Sequence, residues 1–526
     1  MSGKIRGESL GVAGGARDIL SYGWLLYFIF LVSVFVKAAW ASLPVFKDQF
    51  KGLMRRDALM VALLAAAGLA LMVRHTFHID LDPYGWGFVE DALAIKDIFF
   101  LRFPARFVLS AALHVPGYSF FLSIPLMIAE SLTVVSSFNL AVSVLAIGLV
   151  YLVSYALTAD RIASVMAAGL LAVSTQHIVY SGYEFPMPVS VFFVGLEFLF
   201  LICFMKTKKK PLGLGLLFLF FITINIKLEN VVFLPVFLFV FFGAAKNDRE
   251  WRETLRGYLM PAILLSVATL AFCFGFLLNW WGIQTACISA VYHGRNTPFG
   301  AVYFIKNFGL FLSRSGGMPL WAAAGLLLVQ SFQKTGRAMN LAMGWLLAGL
   351  VPLCYYARAN AEWQILQILI PVFLVMGYVV AKALELFVRR GWIRLVLVFS
   401  LLFLLGAKAD SDLGPLKAFS WKDIKKDFPA CLSQDCIVTL RTSTSGMALE
   451  FLFPQRHWLF INDAGLDDAL GRCRGNIYYF NPVVYGLLEE TERQTLVNAE
   501  AELLRRFQVG KRVGPLELFE LKPRRM

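Results

Sequence analysis

The sequence predicts a polytopic α-helical membrane bundle of about 11–13 spans, followed by a small extracytoplasmic α/β domain. Three observations carry this. The 526 residues are 58% hydrophobic and only 16% charged, with a mean hydropathy of +0.67, far too apolar for a soluble globular protein. Apolar runs of spanning length recur as far as Leu405; about 20 helical residues cover roughly 30 Å of hydrocarbon. Beyond that point the chain turns polar and alternates strand-like with helix-like pieces, the pattern of a small domain with a largely parallel sheet.

In chain order the helices are read at about 20–40, 57–73, 138–157, 162–179, 187–205, 211–226, 229–244, 257–281, 317–332, 340–356, 364–387 and 392–408. The pieces 211–226 and 229–244 are short, so they tilt little or re-enter. Residues 1–56 form an N-terminal segment whose 20–40 stretch is one extra helix, spanning or interfacial. That stretch lacks a small-residue cleavage site, so no cleavable signal peptide is read. The bundle proper is placed at 57–408, with outer loops at 74–135 and 280–317, and the extracytoplasmic domain at 409–526. The segment "HVPGYSFFLSIPLMIAE", from His114, is broken by prolines and is read as a juxtamembrane or half-inserted helix.

The formal net charge is +14. In so apolar a chain, excess Lys and Arg point to loops facing anionic lipid on the cytoplasmic side. No stretch interleaves basic residues with aromatics outside the membrane, so a nucleic-acid partner is not expected. "KDQFKGLMRR" (Lys47 to Arg56), "MKTKKK" (Met205 to Lys210), "KNDREWRETLR" (Lys246 to Arg256), "QKTGR" (Gln333 to Arg337) and "RRGWIR" (Arg389 to Arg394) all fall on that side of the threading. The N-terminus, with Lys4, Arg6 and Arg17, then lies outside, against the charge rule.

In the C-terminal domain "CIVTLR", "HWLFIN", "NIYYFN" and "LELFELK" read as strands, and "TERQTLVNAEAELLRRF" reads as a helix. Cys431, Cys436 and Cys473 lie there. An oxidising compartment allows one disulfide with one thiol left over; three reduced, buried cysteines fit equally.

Chemistry is sought in the long loop 74–135, because long loops in compact proteins are usually functional. It carries Asp80 and Asp82, Glu90 and Asp91, then Arg102, Arg106 and His114. A carboxylate at the membrane surface can take the proton from a hydroxyl, and basic residues can hold a phosphate leaving group. Considered alone, a solvated amphipathic loop explains these residues more simply.

The order of parts adds to this. An acidic motif with an aromatic, "DLDPYGW" (Asp80 to Trp86), precedes a proline-rich segment entering a juxtamembrane helix, "HVPGYSFFL" (His114 to Leu122). A further acid follows in "YSGYEFPMP" (Glu184) and a lysine in "TINIKLEN" (Lys227). This arrangement resembles the GT-C glycosyltransferases, most of all the bacterial branch related to protein O-mannosyltransferases and aminoarabinose transferases. There are departures. The two motif acids are not adjacent, so Asp80 and Asp82 both stand for the catalytic place. His-Val-Pro replaces a double proline. "EWQILQILIP", with Gln364 and Gln367, replaces an Arg-Tyr pair, which leaves the head-group contacts open.

The resemblance implies transfer of a sugar from a polyprenyl-phosphate-linked donor to a hydroxyl of a lipid, glycan or protein acceptor, with inversion. Asp82 or Asp80 is the expected base. Glu184, His114 and Tyr84 orient donor or acceptor; Lys227, Arg102, Arg106 and Arg295 meet the phosphate. No cofactor is certain; a divalent metal is compatible with the paired Asp80 and Asp82. Mid-loop His293 is read as a surface histidine. A bacterial inner membrane is the expected location, with the site on the periplasmic side, and no N-x-S/T acceptor occurs in the chain. Glu90 and Asp91 are expected to tolerate neutralisation. Two other classes remain: a secondary transporter, which buried mid-helix acids would favour, and a membrane assembly protein whose outer domain binds a partner.

Overall fold

The computed structural model describes residues 10–53, 55–76, 85–102, 116–182, 186–238, 252–272, 337–350, 362–413, 435–439, 457–460, 476–480, 507–512 and 518–523, with single positions 109, 305, 309, 325 and 473. The helices are α1 Leu10–Gln49, α2 Arg55–Thr76, α3 Gly85–Phe99, α4 Gly117–Leu126, α5 Leu132–Thr158, α6 Arg161–Ala172, α7 Thr175–Tyr180, α8 Met187–Thr207 and α9 Lys210–Ile226. A 3-10 turn, Leu228–Phe233, follows. Then come α10 Arg252–Phe272, α11 Arg337–Leu350, α12 Glu362–Phe387 and α13 Gly391–Leu413. Among the described residues seven helices are long and apolar enough to cross a membrane. The protein is a multi-pass membrane protein.

Local chemistry sets several helix ends. Ser131 caps α5 by accepting from the Val134 N–H at 3.3 Å, and Asp160 caps α6 by accepting from Ile162 and Ala163 at 2.8 and 3.2 Å. Lys208 leaves α8 in the left-handed region at φ 54°, and Pro211 sits in the first turn of α9, where a missing N–H costs nothing. The 162–179 piece, expected as one span, is broken after Ala172. Ser174 and Thr175 bond to the Gln176 side chain at 3.3 and 3.1 Å, local pairing that competes with the helix ladder. Where α12 crosses α6 the backbones come close. A Cβ on Gly377 would lie 2.5 Å from the Ala163 carbonyl oxygen, the close approach that small residues permit.

Bonds at the two ends of the bundle agree with the threading. At one end Tyr151 donates to Asp57 at 2.7 Å, Arg161 pairs with Asp57 at 3.1 Å and donates to the Gly52 carbonyl at 2.6 Å. Tyr258 donates to the Lys210 carbonyl at 2.8 Å. This is the basic end. At the opposite end Arg74 and His75, closing α2, meet Asp410 of α13 at 2.9 and 2.8 Å. The expected 20–40 helix is part of a 40-residue helix, α1, with Phe46 against Phe200 and Trp24 fully buried.

Two findings depart from the expected loop and domain. The loop 74–135 contains a second helix, α3, whose Phe88, Val89, Ala92 and Ile95 are buried; their spacing is a helical stripe in an otherwise charged stretch. The C-terminal sheet is mixed, in the order β2-β1-β3-β5-β4, with β1 Cys436–Thr439, β2 His457–Phe460, β3 Ile477–Phe480, β4 Phe507–Arg512 and β5 Leu518–Pro523. β1 pairs parallel with β2 and β3; β5 runs antiparallel to β3 and β4. Strand β4 begins at Phe507, the last residue of the expected helix, and carries an irregularity between Val509 and Arg512, as edge strands often do. Cys436 and Cys473 form a disulfide with Cα atoms 6.1 Å apart; Cys431 lies outside the described residues. Ile437 and Tyr478 of the sheet join the apolar cluster of Trp24, Phe88, Tyr118 and Ile226 at the far end.

Candidate active site

The far end is built around the end of α9. Its last residues, "ITINIKLEN", run together β-branched side chains with two asparagines, a weak helix former. The helix stops at Ile226, and Lys227 is extended at φ −154° and ψ 117°. Its N–H still bonds the Thr223 carbonyl at 3.0 Å, and its carbonyl accepts from the Asn230 N–H at 3.0 Å, opening the 3-10 turn. The Asn230 amide caps the broken helix by donating to the Thr223 carbonyl at 2.8 Å and to Ser190 Oγ at 3.0 Å. Asn225 donates to the Phe221 carbonyl at 2.8 Å and accepts from Trp24 Nε1 at 2.9 Å.

Lys227 is thereby held at both ends of its backbone and is 1% exposed. Its Nζ lies 3.4 Å from Met187 Sδ at the start of α8. A cation here also lies at the negative end of the α9 dipole.

The proline-rich segment packs on this break. A Cβ on Gly117 would lie 2.3 Å from the Asn225 carbonyl oxygen and 2.8 Å from the Ile226 nitrogen, so only glycine lets α4 sit there. Tyr118, fully buried, stacks edge-on against Phe88 of α3 at 5.2 Å. Its hydroxyl accepts from Asn139 of α5 at 2.8 Å. Gly117 and Tyr118 thus tie α3, α5 and the Lys227 break together.

One turn below Lys227, Glu197 of α8 is 1% exposed. Thr223 Oγ1 donates to its Oε2 at 3.0 Å and also lies 2.8 Å from the Phe220 carbonyl. Glu197 Oε1 finds no hydrogen-bond partner among the described residues.

Of the expected site residues, Lys227 is buried at the break. Arg102 is exposed, with its guanidinium over the Phe100 ring at 5.9 Å; it is not brought into the Lys227 cluster. Asp80, Asp82, Tyr84, Arg106, His114, Glu184 and Arg295 lie outside the described residues, as does His293. Among the described residues no group of three or more His, Cys, Asp or Glu side chains could hold a metal ion. Sequence reasoning missed Glu197, Thr223 and Asn230. A lone acid inside the apolar run "VFFVGLEFLFLICF" was the available signal. It also missed Asp91, which is 2% exposed on α3, so it is not a solvated loop acid, whereas Glu90 is exposed.

The bundle and the far-end cluster define a class: a polytopic helical membrane protein with a buried lysine at a broken helix, covered by a juxtamembrane helix and an appended sheet. No protein family and no curated protein matches the sequence. Among solved structures its fold is similar to that of the Archaeoglobus fulgidus oligosaccharyltransferase in the apo form, at 12% identity over 80% of this chain and 69% of that one, with a TM-score of 0.50. The same enzyme with Zn and sulfate fits with a TM-score of 0.43 at 13% identity, over 88% of this chain and 73% of that one. Its complex with an inhibitory peptide and a dolichol-phosphate, named there AglB, also gives 0.43 at 13% identity, over 83% and 70%. At such identities the likeness is one of fold alone.

Proposed function

We propose that the chain is a membrane glycosyltransferase that moves a sugar from a polyprenyl-phosphate-linked donor to a hydroxyl of a lipid, glycan or protein acceptor. The observation that carries this is Lys227: a buried lysine at a helix break, with Gly117 of the proline-rich segment packed on the Asn225 and Ile226 backbone just before it. The similarity in fold to an oligosaccharyltransferase supports the same reading.

In this mechanism Asp82 or Asp80 takes the proton of the acceptor hydroxyl, whose oxygen attacks the anomeric carbon as the bond to phosphate breaks. The configuration inverts. Lys227 stabilises the polyprenyl phosphate as it leaves, and Glu184, three residues before Met187 in sequence, orients the acceptor. The bacterial branch of the fold, an inner-membrane location and a periplasmic site complete the reading.

The test is transfer from a radiolabelled polyprenyl-phosphate-linked sugar by protein in nanodiscs. A general base contributes about 10²–10⁴-fold, so Asp82→Asn should lower transfer by that order, with unfolding temperature near wild type. Asp80→Asn should be milder. Wild-type transfer by both variants would end this reading. One observation favours a secondary transporter instead: Glu197 is a buried acid inside a span. A transport pathway needs a titratable group there, so Glu197→Gln would abolish coupled uptake.

A further inference from the structure

Glu197 is the one carboxylate in α8, and it stands among Phe198, Phe200 and Leu201, all buried. A carboxyl costs free energy in such surroundings. Among the described residues its Oε2 accepts from Thr223 Oγ1 at 3.0 Å. Thr223 is the hub of the α9 terminus. Its carbonyl receives both the Lys227 N–H at 3.0 Å and the Asn230 amide at 2.8 Å. Whatever fixes Thr223, one helical turn before Lys227, therefore helps fix the point at which α9 ends.

We propose that Glu197 is a positioning residue for Lys227: it anchors the last turn of α9 through Thr223 and so sets the depth at which the ammonium meets a polyprenyl phosphate. The inference rests on the assignment of Lys227 to that phosphate. The carboxyl acts as a hydrogen-bond partner here, not as a proton carrier, so a carboxamide of the same shape should serve nearly as well.

The experiment measures binding of decaprenyl phosphate, with decaprenol as the control lacking phosphate, to the full chain in detergent. Lys227→Met, Glu197→Leu, Glu197→Gln, Thr223→Val and Thr223→Ser are compared, each with its unfolding temperature. Glu197→Leu and Thr223→Val should each weaken decaprenyl phosphate binding about tenfold, the scale of one lost hydrogen bond at a charged site. The double variant should be no weaker than either single one, since both cut the same link. Glu197→Gln and Thr223→Ser should keep most of the affinity, and decaprenol binding should not change. If Glu197→Leu fails to fold, the Thr223→Val and Thr223→Ser pair decides alone. Normal binding by Lys227→Met removes the phosphate assignment itself. A weakened Lys227→Met beside unaffected Glu197→Leu and Thr223→Val overturns only the positioning role. Equal losses for decaprenol and its phosphate, or a Gln variant as poor as Leu, overturn it too.

Discussion

At Gly117 a single hydrogen atom decides whether two helices meet. The space a methyl group would need is filled by the Asn225 carbonyl and the Ile226 nitrogen, and backbone cannot step aside as a flexible side chain can. Gly117→Ala should lower stability by about 1–3 kcal/mol, the usual cost of overpacking, and should weaken polyprenyl phosphate binding at the same time, because the shift falls on the residues before Lys227. A thermal melt and a binding curve on one sample check both. Two neighbouring acids make a second pair. Asp91 is buried and Glu90 is exposed. Asp91→Asn should destabilise the folded chain by about 1–3 kcal/mol, as a change to a buried polar group does, and Glu90→Gln should stay within about 0.5 kcal/mol. In the sequence these two acids look alike because the stretch reads as loop; once it is helical, the stripe of Phe88, Val89, Ala92 and Ile95 puts Asp91 nearer the inward face than Glu90.

Elements were legible where a local rule sets them. Uninterrupted apolar length revealed α1, α2, α5, α8, α12 and α13, because hydrocarbon thickness is a constraint each helix meets by itself. Four strands showed through their β-branched and aromatic runs. What stayed hidden is made by contact. The break after Ala172 depends on side-chain bonds among Ser174, Thr175 and Gln176, and the Asn230 cap depends on Ser190 forty residues away in sequence. Lys227 was found through its resemblance to a motif, whereas Glu197 was passed over because its partner Thr223 belongs to another helix. One disulfide among Cys431, Cys436 and Cys473 was one of two readings left open, with no pair singled out; the bond is Cys436–Cys473. It closes a separation of 37 residues, and losing such a crosslink costs about 3–4 kcal/mol. Cys436→Ser should therefore leave the sheet protease-sensitive while the spans stay intact, as limited proteolysis followed by mass spectrometry would record.

For the whole molecule, the bonds at each end of the bundle place the loops 47–56 and 205–210 together and the sheet at the opposite end. A reporter fused after Met526 should then read as external and one inserted within Lys208–Lys210 as internal. Readings on the same side would mean a span count wrong by an odd number. Removing everything after Asp410 should leave the spans inserted, because each helix satisfies its own backbone. Yet Ile437 and Tyr478 would no longer cover the cluster that holds Phe88 and Tyr118. Transfer to the natural acceptor should fall further than donor binding in the truncated protein. Equal losses would show the sheet to be a prop for the whole bundle.

The order of strands in that sheet has a bearing on how it is made. β5 is last in sequence but lies between β3 and β4. As the chain is synthesised, β1, β2 and β3 can assemble in turn, while β4 arrives before β5, its one partner strand among the described residues. Until residues 518–523 follow, both β3 and β4 present open edges, the form in which sheets recruit foreign strands. The interval between synthesis of β4 and synthesis of β5 is thus the window in which a chaperone or a protease would find this domain.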